Sequence, residues 1–524
     1  FGVPSGPTLP LMEALRNSPL EYVLTAHESS AGFMADGFAR ASGRFGVCLS
    51  TTGPAALNVL TPLGTAFADS VPILSIASEI PAAGLGLGKG YLHECRDQLG
   101  CYAPVTKFSA LVTEVTDIGS AVADAVAAMR TGRPRPAALD IPCDVLDADA
   151  GCEPIGPHEI PEASCDLGAV ARAAELLAEA RRPLIWAGGG VTRSGAGAAL
   201  VHLAEQLDAP VFCTVLGKGM IPDDHPLAAG AGFLHPAAAK LRENCDVLLA
   251  LGTGLGQLET GNWQLEMPPD VIQVDIDPGA IGRNYPVSEG ILGDVNVALE
   301  ALSATISDNR REAAGAVATM KSEMRAQCLQ RCPQAVELLE AIRHGLPRET
   351  ILVNDLTVGV YWGRYVLDVY EPRTYLYPWN FCTLGYGLPA AIGAAVARPE
   401  TPVVVLCGDG GFLFNVQELA TAVQHRLPLT VVVFNDSAYG VLKPQQEQRY
   451  DRTFATDLRN PDLVELAGAF GAEGVRVSSG DHLEAALKVA VASDQVTVID
   501  LPVSLPWPVW PRQEAAVVQP GVSR

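Results

Sequence analysis

A chain of 524 residues is too long for one core and predicts roughly two to four domains. With 48% hydrophobic and only 18% charged residues it is not a disordered chain. A formal charge of −23 argues against nucleic acid or anionic membrane as partner, and any site for an anion then needs local compensation.

No uninterrupted apolar run is long enough to span a bilayer, and no signal-peptide pattern opens the chain. The first residue is Phe1, not methionine, so preceding residues are expected. The segment "YVLTAHESSAGFMADGFARASG" (22–43) reads as a strand, then His27-Glu28, then a helix of small residues. By itself, Glu28 followed by Ser29 and Ser30 is an ordinary helix start. Apolar strands follow at 45–50 ("FGVCLS") and 71–77 ("VPILSIA"), then a polar loop, "GKGYLHECRDQLG" (88–100). A seam rich in Pro, Gly and acid residues covers 146–166. Beyond it lie strands at 182–190, 245–252 and 270–277, with Gly-rich turns at 187–195 and 251–257 that are weak evidence of a nucleotide. A polar, mostly helical seam at 306–333 contains Cys328 and Cys332, four apart. With no His or second cysteine pair near them, zinc is disfavoured.

The apolar runs are near-continuous in Val, Ile and Leu, as in strands covered on both faces. The expected fold is α/β, with three doubly wound parallel-sheet domains at 1–155, 166–305 and 335–510. Twelve cysteines scattered singly fit reduced thiols and a cytoplasmic protein.

The last third carries the sharpest motif. The strand at 403–407 runs into Gly408-Asp409-Gly410-Gly411, and apolar residues at helical spacing follow: Leu413, Val416, Leu419, Ala420 and Val423. A strand, a glycine turn and a helix in that order expose backbone N–H groups to an anion, and a diphosphate fits. A second buried strand, "LTVVVF", ends in Asn435-Asp436, so 27 positions separate the two aspartates. Neighbouring strand ends on one carboxyl edge can bring Asp409 and Asp436 together. Two carboxylates repel, and in an acidic protein a cation between them is required; Mg²⁺ suits oxygen ligands shared with phosphate.

Taken together, the motif resembles that of the thiamine-diphosphate-dependent acetohydroxyacid synthase, benzoylformate decarboxylase and pyruvate decarboxylase family. The family pattern is Gly-Asp-Gly, about two dozen residues, then Asn-Asn; here Asp436 replaces the second Asn. The resemblance implies pyrimidine-binding, central and diphosphate-binding domains in that order. It makes Asp409, Asp436 and the Ala438 carbonyl the Mg²⁺ ligands. Gly408, Gly410, Gly411, Gly440, Val441 and Thr357 become cofactor contacts, with Thr357 the hydroxyl in "NDLTVGVYW" (354–362). In "YPWNFCTLGYGLPAAIGAAVA" (377–397), Leu384 is the apolar wedge beneath the cofactor and the Cys382 carbonyl accepts from its aminopyrimidine. Glu28 is implied as the proton-relay residue, needing apolar surroundings that raise its pKa. It is expected to serve the Asp409 site of a neighbouring chain, so a homodimer is the minimum and a tetramer is common among such proteins.

For the reaction, the residues leave two outcomes open. Dedicated decarboxylases of the family use His and Glu side chains to supply the proton that completes aldehyde release. This chain aligns Thr51 and Leu442 at those places, and neither is an acid. That favours decarboxylation of a 2-oxo acid followed by ligation to a second carbonyl, as in acetolactate synthases. Against it, His93 in the 88–100 loop is a candidate proton donor or substrate contact, which keeps simple decarboxylation open. Ser5, Thr51, His93 and Leu442 are the substrate-side candidates. Arg96 could grip a carboxylate, while Glu94 or Asp97 could favour a cationic substrate. Flavin-binding synthases hold FAD in the central domain, but the Arg-containing turn associated with that site is absent at 251–257, which weakens the case for FAD. A nicotinamide dehydrogenase is a remoter alternative, lacking a Gly-x-Gly-x-x-Gly turn that opens a helix. A non-catalytic partner subunit is opposed by the retained Glu28, Asp409 and Asp436. The tail at 505–518 is either a cover for the site, through Trp507 or Trp510, or a loose end.

Overall fold

A computed structural model describes residues 1–149, 151, 155–308, 312–508 and 510. Three separate sheets succeed one another along the chain, and every ladder between their strands is parallel. The first contains β1 (Gly46–Ser50), β2 (Ile73–Glu79), β3 (Phe108–Leu111) and β4 (Ala137–Pro142), in the order β1-β2-β4-β3. The second contains β5 (Pro183–Ala187), β6 (Val211–Cys213), β7 (Ala228–Gly230), β8 (Val247–Leu251), β9 (Asp270–Asp275) and β10 (Glu289–Leu292), ordered β10-β9-β8-β5-β6-β7. The third contains β11 (Ile351–Asn354), β12 (Tyr375–Leu376), β13 (Val403–Gly408), β14 (Thr430–Asn435), β15 (Glu473–Arg476) and β16 (Thr497–Pro502), ordered β12-β11-β13-β14-β16-β15.

The continuous Val/Ile/Leu runs are explained by cover on both faces. Along β13, Val404 and Leu406 enter one apolar cluster while Val403, Val405 and Cys407 enter another. Along β8, Leu248 and Ala250 face one cluster, and Val247, Leu249 and Leu251 the other. Residues of successive parity thus bury in opposite directions, as a two-sided parallel sheet demands.

The first and third domains meet through two helices, Glu28–Ser42 and Gly387–Ala397. Their contact is backbone against backbone. A Cβ on Gly37 would fall 1.9 Å from the Ala390 carbonyl oxygen, and one on Gly393 would fall 1.9 Å from that of Met34. Beside them, Arg40 is ion-paired with Asp36 at 2.5 Å and Asp69 at 2.9 Å, all three largely buried. Asp69 also accepts from the backbone N–H groups of Trp379 and Asn380, each at 3.0 Å, which anchors the stretch leading to Cys382 and Leu384. Removing one member of such a buried network costs about 3–5 kcal/mol, because its partners stay charged in the interior.

The polar, helical seam carries a narrow buried stripe. Helix Ala313–Arg331 buries Val317, Met320, Met324 and Cys328 at helical spacing, in the cluster that also holds Trp362 and Leu406. It packs the central domain onto the third. Cys328 and Cys332 are buried there among apolar side chains, and burial pushes the Cys328 thiol up to about 12.

Candidate cofactor site

The carboxyl edge of the third sheet holds the Gly-Asp-Gly turn. Gly408 on β13 pairs with Phe434 on β14, so Asp409 and Asp436 leave the sheet side by side. Asp409 is buried, and its Oδ2 accepts from Asn460 Nδ2 at 2.5 Å, an amide that also donates to Asn435 Oδ1 at 3.1 Å. Asp409 Oδ1 accepts from Gly410 N at 2.9 Å, and Asp436 Oδ1 accepts from Ala438 N at 3.2 Å. Burial first, and the charge of Asp409 second, push the Asp436 carboxyl up to about 6.

Around this pair is a cavity of about 290 Å³. Its walls gather Thr357, Cys382, Leu384, Gly408, Asp409, Gly410, Gly411, Asp436, Ala438, Gly440, Val441 and Leu442, drawn from stretches more than 80 residues apart in the chain. Thr357 N-caps helix Val358–Val366, whose first residues, Val358 and Gly359, also line the cavity and bring its positive end to it. The glycines are forced by crowding. A Cβ on Gly440 would fall 2.1 Å from Asp436 Oδ2, and one on Gly411 would fall 2.9 Å from Asp355 Oδ1.

These residues fit a divalent cation carrying a diphosphate. Two close carboxylates, one with its pKa raised by the other, make a donor set that a cation relieves. Among the described residues no group of three or more His, Cys, Asp or Glu side chains could hold a metal, so a third protein oxygen would have to come from backbone, as at Ala438.

The carboxyl edge of the first sheet is a different surface. Glu28 opens helix Glu28–Ser42, is half-buried and accepts from Asn58 Nδ2 at 3.0 Å. The apolar enclosure expected for it is not formed within this chain, and it does not line the Asp409 cavity. Thr51 follows β1 and its Oγ1 lies 3.2 Å from Ser78 Oγ. His93 is exposed, with φ +66°. Ser5 is spent on its own turn: its Oγ lies 3.1 Å from Thr8 Oγ1, and its N–H donates to that oxygen at 3.0 Å.

Comparison with known proteins names the lineage. Three family descriptions fit the chain in order: "Thiamine pyrophosphate enzyme, N-terminal TPP binding domain" over residues 1–101, "central domain" over 170–302 and "C-terminal TPP binding domain" over 355–501. The chain belongs to the thiamine pyrophosphate enzymes. It is similar to the probable 2-ketoarginine decarboxylase of Pseudomonas aeruginosa, 40% identical over 96% of this chain and 90% of that protein. It is also similar to the probable acetolactate synthase large subunit of Methanocaldococcus jannaschii, 35% identical over 99% of this chain and 91% of that one. The large subunit of acetolactate synthase isozyme 2 from Escherichia coli is 32% identical over 100% of this chain and 95% of its own length. The chain is therefore a thiamine-pyrophosphate-dependent enzyme of carboligase or decarboxylase type, and the dehydrogenase alternative falls away.

Several parts of this thiamine pyrophosphate enzyme's site have no local sequence signal. Asn460 reaches Asp409 from 51 positions downstream. Asp355 is buried, accepts from Leu356 N and Gly387 N at 2.7 and 2.8 Å, and is pushed up to about 6 by burial. Tyr361, Tyr439, Val503 and Leu505 complete the cavity wall. The tail thus contributes Val503 and Leu505, not Trp507 or Trp510. Trp510 is buried against His235, ring centroids 4.2 Å apart, with the Arg331 guanidinium 5.2 Å from its ring. From residue 511 onward the tail lies outside the described residues. A second cavity of about 390 Å³ opens at the carboxyl edge of the central sheet, between Gly189-Gly190, Gly252–Gly254, Asp275, Arg133 and Arg193. No helix among the described residues is long and apolar enough to cross a membrane.

Proposed function

We propose that this enzyme uses thiamine diphosphate and Mg²⁺ to decarboxylate a 2-oxo acid and pass the remaining fragment to a second carbonyl compound. The observation that carries the reading is the wall of the Asp409 cavity, where Val441, Leu442, Val503 and Leu505 present no acid side chain. When bound, thiamine diphosphate would supply a carbon nucleophile and an electron sink for 2-oxo acid chemistry. Asp409, Asp436 and the Ala438 carbonyl would hold the cation, and the bare backbone of Gly410 and Gly411 with the start of helix Val358–Val366 would receive the diphosphate. Leu384 and the Cys382 carbonyl would position the ring system. Apolar side chains around the reacting end exclude water and withhold a proton, so that a carbonyl acceptor competes successfully.

Glu28 is the proposed proton relay. That it does not line the Asp409 cavity of its own chain supports a homodimer, extendable to a tetramer, in which the first-domain edge of one copy closes the third-domain edge of another. The three-domain division at 1–155, 166–305 and 335–510 is supported by one complete sheet in each span. Buried free thiols at Cys48, Cys213 and Cys407 support a reducing compartment, the cytoplasm. The case for FAD in the central cleft stays weak, because the turn at 251–257 has no Arg.

A second reading, release of an aldehyde, is favoured by the exposed His93 beside Thr51 and by the decarboxylase relative. On that reading Glu94 and Asp97 in the same loop suit a cationic side chain such as a guanidinium. The test incubates the protein with Mg²⁺, thiamine diphosphate and a panel containing pyruvate, 2-oxobutanoate, benzoylformate and 5-guanidino-2-oxopentanoate. Carbon dioxide with an acyloin-type product is expected. Carbon dioxide with stoichiometric aldehyde selects the second reading, and no thiamine requirement overturns both.

A further inference from the structure

The sheet edge bearing Thr51 and His93 is braced from behind by Gln98, the first residue of helix Gln98–Tyr102 and only 2% exposed. Its Oε1 accepts from Gly53 N at 2.6 Å, while Nε2 donates to Ser78 O and Asp140 Oδ1, both at 3.0 Å. Two acceptors on the amide nitrogen leave the carboxamide one orientation, oxygen toward Gly53. Ser78 holds the same turn from the other side: its Oγ accepts from Thr52 N at 3.0 Å and lies 3.0 Å from Thr52 Oγ1. Gly53 itself has φ +65°, and a Cβ there would fall 2.3 Å from the His93 carbonyl oxygen. The Thr51–Gly53 turn and the His93 peptide therefore touch at one glycine, and Gln98 sets where that glycine sits.

Asp140 on β4 is wholly buried, and its Oδ2 has no hydrogen-bond partner among the described residues. Burial pushes it up to about 7; the Gln98 bond pulls it down, and Glu79 and Asp97 add to the rise. A buried carboxyl with one idle oxygen costs stability, and packing alone would be better served by an apolar residue. What it supplies is the acceptor that turns Gln98 toward Gly53.

We propose that Gln98, oriented by Asp140, is a positioning residue that sets the spacing between Thr51 and His93 on the substrate edge. The inference rests on the reading of Thr51 and His93 as substrate-facing. The full-length enzyme loaded with Mg²⁺ and thiamine diphosphate tests it, using pyruvate or 5-guanidino-2-oxopentanoate, whichever turns over faster. Gln98→Met removes the three hydrogen bonds at nearly constant volume. KM is expected to rise about tenfold, one hydrogen bond's worth of binding, with the Kd for thiamine diphosphate unchanged. Asp140→Asn retains an acceptor for Gln98 and is expected to keep a near-wild-type KM. A lowered Tm or kcat with wild-type KM in Gln98→Met makes Gln98 a packing residue and overturns the proposal. If that variant does not fold, Gln98→Glu is read instead: it keeps the Gly53 bond but loses both donations, so an unchanged KM overturns the proposal and a severalfold rise supports it. Thr51→Val and His93→Ala separate the two levels. If both leave KM at the wild-type value, the substrate-edge reading fails and the proposal with it; if they raise KM while Gln98→Met does not, only the Gln98 assignment fails.

Discussion

The first and third domains present the same kind of surface, the carboxyl edge of a parallel sheet, in opposite states. At the third-domain edge, Asp409 is buried, bonded to Asn460, and set in a cavity with walls on every side that matters. At the first-domain edge, Glu28 is half-buried on an exposed Asn58 and His93 stands out in a loop. One edge gathers carboxylates, glycines and a helix start around a cavity; the other leaves Glu28 and His93 outside that cavity. The difference teaches that two sheet edges of the same construction can differ in how much of their surroundings one folded chain supplies: the Asp409 edge lies within a cavity, and Glu28 does not line it.

The comparison is broken most severely by Asp409→Ala. Loss of one carboxylate should lower turnover on the order of 10³-fold or more and abolish Mg²⁺-dependent thiamine diphosphate binding in calorimetry. Glu28→Gln should lower turnover by about 10²–10⁴-fold while leaving that binding within a few-fold, because it removes a proton carrier and no diphosphate contact. Mixing these two inactive variants sharpens the contrast. If the edges pair between copies, random reassociation should restore about a quarter of wild-type activity; no recovery would place both edges of a site in one chain. Gly393→Ala tests the joint between the two domains and should cost about 1–3 kcal/mol in denaturant unfolding, since the added methyl meets the Met34 carbonyl.

The smallest effect is on pH. In the metal-free protein the folded pKa of Asp436, about 6, lies above the usual value near 3.8, so its stabilising contribution is full below 3.8 and is lost as pH rises through 6. A cation held by Asp436, as proposed, would bind the ionised form and reverse the balance. The rise in Tm on adding Mg²⁺ and thiamine diphosphate should therefore be a few degrees larger at pH 7 than at pH 5.

The features legible in the sequence were those encoded locally. Buried strands announced themselves through continuous Val and Ile, and the Gly408–Gly411 turn through glycines between a strand and a helix. Glu28 had no such mark, because its chemistry depends on what surrounds it, and only likeness to a family singled it out. Asn460, Asp355, Val503 and Leu505 enter the site through tertiary folding from ordinary-looking stretches, so no spacing rule could find them. Helix Ala313–Arg331 is polar and helical as read, but its four buried residues form too thin a stripe to reveal its packing role. Trp510 went to the domain junction, where its ring meets His235 and Arg331.

The glycine-mediated contact of helices Glu28–Ser42 and Gly387–Ala397 limits how this enzyme can move. Main chain pressed on main chain leaves no side-chain cushion to compress, and hinge bending there would have to open the whole joint. The 88–100 loop is built the other way, with Gly88 and Gly90 at positive φ and open space around them.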